Sequence, residues 1–169
     1  MPVPPAGPAS VGSTNDRRYC AGMDAETAPE RLRTLPTWLL NQAALLGQRI
    51  GADALAALGA HRSHYAALAA LDEFGPASQA ALGRRCGIDP SDMVALMAAL
   101  SADGLVERRA DEADRRRNVV TITAAGRRRI DELGAAVAAA QDELLAPLSA
   151  AERDRLAGLL ARVVDHRRT

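Results

Sequence analysis

Two short helical stretches meet at a glycine between Ser78 and Leu100, and few folds accommodate that arrangement. Ser78 is placed to cap the first stretch, which carries Leu82 and stops at Gly87; Asp89 is placed to cap the second, with Pro90 at its first position and Asp92 at its third. Met93, Leu96, Met97 and Leu100 form one stripe on the second stretch, and Gly104 supplies its stop. Gly87 suits a left-handed turn, and Gly83 lets the second helix approach the first. Leu82, Ile88, Met93 and Leu96 then fill the angle between them. Such a unit presents its second helix to a DNA major groove, although alone it also fits an ordinary helical hairpin.

The residues after Gly104 separate the two readings. Val106, Val119, Val120, Thr121 and Ile122 favour pleated surfaces, so Leu105 to Arg109 and Arg117 to Thr123 are expected as two strands around the polar run Ala110 to Arg116. Formal net charge is zero, which gives bulk charge no role, but every basic residue is arginine, and Arg115 to Arg129 holds six of them with no acid. A hairpin of this kind can bring Arg115, Arg116 or Arg117 to phosphates or into the minor groove. Arg127 to Arg129 is expected as a solvated helix start.

Longer helices flank this unit. Leu35, Leu39, Leu46 and Ile50 recur at helical multiples from Pro36 toward Gly59, and Tyr65, Leu68 and Leu71 share a face between Arg62 and Phe74, ahead of Gly75-Pro76. Thr123 is placed to cap a helix carrying Ile130, Leu133, Val137, Leu144 and Leu145, broken at Pro147. Ser149 and Glu152 form a capping box before Leu156, Leu159, Leu160, Val163 and Val164. With aromatic residues at 2%, the core must be aliphatic, which suits helix packing. The expected fold is mainly α with a small β-hairpin wing, a winged helix-turn-helix with long helices at both ends. Residues 1–30, rich in Pro, Gly, Ala and Ser without apolar period, read as a disordered leader, and residues 31–169 as a single domain.

The run Leu100-Ser101-Ala102-Asp103-Gly104-Leu105-Val106-Glu107-Arg108, then Asp111-Glu112-Ala113-Asp114-Arg115-Arg116-Arg117, then Thr121-Ile122-Thr123-Ala124-Ala125-Gly126, resembles the MarR family of winged-helix regulators. That family's Asp-x-Arg wing pattern falls on Asp114 and Arg116, and the resemblance covers about residues 36 to 168. It implies a winged helix-turn-helix over about 61–123 and dimerisation helices over about 35–58 and 124–167. It further implies a homodimer on palindromic double-stranded DNA, probing the major groove with Ser91, Asp92 and Ala95 and holding Ser78 and Gln79 near phosphate. Asp114 would brace the wing and Arg116 would reach the minor groove. The second short helix departs from common practice: between Asp89 and Ala102 it has no Arg, Lys, Asn or Gln, the usual partners of guanine and adenine.

The resemblance also implies a small-molecule effector in a cleft near Trp38, His61, Arg62, His64 and Tyr65, with His61 standing where the family usually has a capping Thr. Packing or simple exposure is the plainer reading of each. Some members sense peroxide through a cysteine early in the first helix, but Trp38 to Asn41 holds none; Cys20 lies in the leader and Cys86 at the end of a short helix. Three histidines, two distant cysteines and no phosphate loop give no expectation of an enzyme, a metal or a cofactor. No stretch approaches the roughly 18 consecutive apolar residues of a membrane helix, so a cytoplasmic protein is expected, and the resemblance implies a ligand-responsive repressor. A protein-binding winged helix without specific DNA affinity is the competing reading.

Overall fold

The computed structural model describes residues 27–110 and 118–166. Its elements are α1 (Glu30–Arg33), which was not expected, and then, in the expected order, α2 (Pro36–Ala56), α3 (Arg62–Phe74), α4 (Gln79–Cys86), α5 (Pro90–Ala102), β1 (Val106–Ala110), β2 (Asn118–Ile122), α6 (Ala124–Leu144) and α7 (Ala150–Asp165). By contacts the chain divides into two units, residues 1–48 and 49–169. In the first, α1 is one helical turn at the edge of the stretch read as a leader, and the Thr34 hydroxyl donates back to Glu30 O at 3.2 Å. In the same unit Ala28 and Trp38 are buried, whereas Leu35, Leu39, Leu40 and Leu46 are exposed.

The second unit is built around α3, which touches α4, α5, α6 and β2. Ala67, Leu68 and Leu71 of α3 meet Leu82, Met97, Leu100 and Leu133 in an aliphatic core, with Leu55 at its margin. Each such leucine contributes about 1.5–3 kcal/mol by leaving water, which makes α3 the platform that positions its neighbours. The strands pair antiparallel, with Val106 opposite Ile122 and Ala110 opposite Asn118. A third backbone segment joins them: Val120 N–H donates to Ala77 O at 2.8 Å and Ala77 N–H to Val120 O at 3.1 Å. The hairpin is thereby tied to the residue just before the cap of α4.

Caps form on the expected residues with one exception. Ser78 Oγ accepts from Ala81 N–H at 3.2 Å, and Thr123 Oγ1 accepts from Gly126 N–H at 3.0 Å while donating toward Gly104 O at 2.8 Å. Glu152 accepts from the Ser149 backbone at 2.9 Å and its hydroxyl at 2.6 Å, and these bonds hold its carboxyl below the ordinary value. Asp89 occupies the cap position of α5 with extended backbone but makes no side-chain capping bond. Asp89 instead lines the two recesses beside the helix.

Candidate nucleic-acid interface

The turn between α4 and α5 has the geometry its glycines allow. Gly87 adopts φ 65° and ψ 36°, a conformation that penalises any Cβ, and its N–H closes α4 on Gly83 O. A Cβ on Gly83 would stand 3.1 Å from Ile88 O, so this close approach also depends on glycine. Gln79 Nε2 donates to Met93 O at 3.4 Å, a second tie between the two helices. Held this way, α5 buries Met93, Leu96, Met97 and Leu100 and turns Ser91, Asp92, Val94, Ala95 and Ala98 outward.

The residues expected to meet DNA therefore fall into three groups. Ser91, Asp92 and Ala95 are exposed on α5; Ser78 and Gln79 stand at the start of α4, where they cap that helix and tie it to its neighbour. Asp114, Arg115, Arg116 and Arg117 lie outside the described residues, in the segment joining Ala110 to Asn118. Asp92 is set apart from Ser91 and Ala95: with His61, Arg62, Ala66 and Cys86 it lines a recess of about 710 Å³ beside the start of α3.

The residues of the second unit expected near an effector, His61, Arg62, His64 and Tyr65, have different surroundings among the described residues. His61 and Arg62 line the recess that Asp92 shares. His64 lines a smaller space with Leu68, Leu100, Asp103, Arg129 and Leu133, and Tyr65 packs half-buried against the core. Trp38 belongs to the other unit, where its indole N–H is buried without a hydrogen-bond partner among the described residues. His64 Nδ1 accepts the His61 backbone N–H at 2.8 Å, which fixes an unprotonated Nδ1 at the start of α3. Burial, then the neighbouring His61, hold His64 below its ordinary pKa of 6.5; Asp103 opposes this and Arg129 adds to it.

Other side chains have roles that the sequence did not disclose. Arg127 reaches Asp72 of α3 at 2.8 Å, while Arg129 donates to Leu58 O and pairs with Glu132 at 2.5 Å. Arg127 and Arg128 are exposed, as expected of a solvated helix start, although Arg127 meets an acid 55 residues away in sequence; Arg129 departs from the expectation, being partly buried and tied to the Leu58 carbonyl. Arg85 lies 4.1 Å over the Phe74 ring. Cys86 Sγ contacts Ala66 O at 3.5 Å, and burial pushes its thiol pKa up despite the adjacent Arg85. Among the described residues no cluster of three metal-ligating side chains occurs, and no helix is long and apolar enough to cross a membrane.

Comparison with known proteins bears on the same elements. A model of the MarR family matches residues 58–117, from the end of α2 into the wing. No curated protein matches the sequence. Among solved structures, a MarR family protein from Mycobacterium tuberculosis in complex with DNA is 25% identical over 77% of this chain and 98% of its own, with a TM-score of 0.69. The PcaV transcriptional regulator from Streptomyces coelicolor, in complex with its natural ligand, is 28% identical over 82% and 97%, with a TM-score of 0.61. A probable transcriptional regulator from Pseudomonas aeruginosa aligns over 79% of this chain and 99% of its own with a TM-score of 0.65. Sharing 34% of aligned positions with that regulator across nearly the whole of its length, the chain belongs to the MarR family of transcriptional regulators.

Proposed function

We propose that the chain is a cytoplasmic, ligand-responsive repressor that binds a palindromic DNA operator as a homodimer, with residues 31–169 forming the working regulator. The observation that carries this reading is the stance of α5: one face is buried against α3 and α4, the opposite face is exposed, and a hairpin with an arginine-rich connection comes directly after it. The DNA-bound relative from Mycobacterium tuberculosis supports duplex DNA as the partner. In this reading Ser91, Asp92 and Ala95 approach base edges, and the start of α4 at Ser78 and Gln79 meets phosphate with its free backbone N–H groups. Asp114 braces the wing, and Arg116 enters the minor groove between Arg115 and Arg117. No catalysis and no cofactor are assigned.

Dimerisation is supported by α7, which buries none of its own residues and exposes Leu159, Val163 and Val164. Water-facing apolar stripes of that length ordinarily mark an interface. Two copies related by a twofold axis present two reading helices, which is why the operator is expected to be a palindrome. PcaV, solved with its natural ligand, supports an effector for this chain too, with the recess at His61 and Arg62 and the residues Trp38, His64 and Tyr65 as candidates.

The test is selection of bound sequences from a randomised duplex library, then affinity measurement for Arg116→Ala. A palindrome should emerge, and the variant should bind it about 1–3 kcal/mol more weakly, with a larger loss when the flanks are A·T-rich and the minor groove narrow. Absence of any duplex binding at low salt would overturn the reading in favour of a protein-interaction module.

A further inference from the structure

The reading face of α5 is hydrocarbon. At 3.6 residues per turn, successive side chains are separated by about 100°. The buried stripe Met93, Leu96, Met97 and Leu100 therefore has Ser91, Ala95 and Ala98 opposite it and Val94 on the flank toward α4, and all four are exposed, Val94 at 61%. Asp92 lies about a quarter turn away, on the flank toward His61 and Arg62. The crown of the helix thus offers one hydroxyl at its first turn and then only methyl groups.

Among the groups that base pairs display in the major groove, one is apolar: the C5 methyl of thymine. Guanine O6 and N7 or the cytosine amino group, covered by Val94 and Ala98, would lose water and gain no partner, which is unfavourable. The adjoining charge favours a nucleic acid over an apolar peptide as the occupant. Val94 and the exposed Arg84 of α4 line the same groove, about 620 Å³ in volume and shared with Gln79, so a phosphate held by Arg84 lies beside the apolar crown. Val94 and Ala98 are about 6 Å apart along the axis, close to two base steps of about 3.4 Å.

We propose that α5 reads two or three adjacent thymine methyl groups in each operator half-site, through Val94, Ala95 and Ala98. This rests on the DNA-binding function proposed above and names the sequence class it selects. A methyl group withdrawn from water strengthens binding about four-fold.

The experiment uses the full chain and its selected operator, with deoxyuridine replacing thymidine one position at a time. Affinity should fall about four-fold at each of two or three adjacent positions per half-site, because only the methyl is removed. Val94→Ser, at an exposed site that leaves the core intact, should abolish the thymidine-over-deoxyuridine preference at one of those positions and keep it at the others. A palindrome that binds tightly and tolerates deoxyuridine everywhere would overturn this proposal while leaving DNA recognition standing. Failure to bind any duplex would remove both.

Discussion

The junction between the wing and α6 should not tolerate a methyl group at Gly126. A Cβ there would overlap Leu105 O and stand 2.7 Å from Ile122 Cγ1, against about 3.4 Å for an ordinary contact. The carbonyl has little freedom to yield, because it already accepts the Thr123 N–H at 3.0 Å and faces the Thr123 hydroxyl at 3.2 Å. Overpacking of this kind costs about 1–3 kcal/mol, and loss of a Thr123 hydrogen bond adds about 1 kcal/mol. Alanine's better helix propensity returns up to about 1 kcal/mol, leaving Gly126→Ala destabilised by about 2 kcal/mol. For a chain of this size that lowers the melting temperature by about 4–8 °C, readable by calorimetry at one fixed protein concentration, since dimer stability depends on concentration. A variant melting within about 1 °C of wild type would refute the reasoning, by showing that the Leu105 carbonyl moves freely and that the wing is not anchored there.

His64 is held below its ordinary pKa, so the unfolded chain binds the proton more readily and the folded state loses stability as pH falls below about 6.5, down to the folded pKa. Denaturant titrations from pH 8 to pH 5 should show this loss, and His64→Gln should flatten that part of the profile; an unchanged profile counts against it. Truncation after Pro147 removes the exposed Leu159, Val163 and Val164 and should convert the dimer to monomer by sedimentation. A monomeric full chain, or a dimer that survives the truncation, refutes the assignment of that interface. Arg84→Gln should weaken binding to all duplexes alike and make the salt dependence shallower by about one unit of slope for each phosphate no longer neutralised, with the preferred sequence unchanged.

Local chemistry was legible where a single residue decides the backbone. Gly87 ends α4 in the left-handed region, Pro90 opens α5, and Thr123 caps α6, each as its residue type dictates. Features decided by distant partners escaped. The Ala77 to Val120 bridge is made by backbone groups and leaves no side-chain signature. Arg127 is exposed, but its pairing with Asp72 appears only when the fold brings the two together, and the His61 to His64 bond depends on which ring nitrogen turns inward. The reading face of α5 was visible as an absence of amide and guanidinium groups. The stripe Met93, Leu96, Met97 and Leu100 was legible too, and its burial fixes the helix rotation that leaves a methyl-bearing crown on the other side.

The distribution of charge explains how a neutral chain can act on DNA. Arg127, Arg129 and Arg153 are engaged with Asp72, Glu132 and Asp142, and Arg109 with Glu107, so these acids neutralise arginines locally. Arg62, Arg84 and Arg108 are exposed and make no ion pair among the described residues. Between residues 61 and 123 eight arginines stand against nine acids, so this part of the chain carries no net positive charge. Sequence-independent affinity comes from arginines that neutralise phosphates, and neighbouring acids that oppose their field lower that background and shift discrimination onto geometry. A genome offers on the order of a million or more competing sites, so a low non-specific background raises the useful ratio even when the specific contacts are few. Methyl recognition by α5 fits that regime: it adds affinity only where thymine is present and leaves the electrostatic background unchanged.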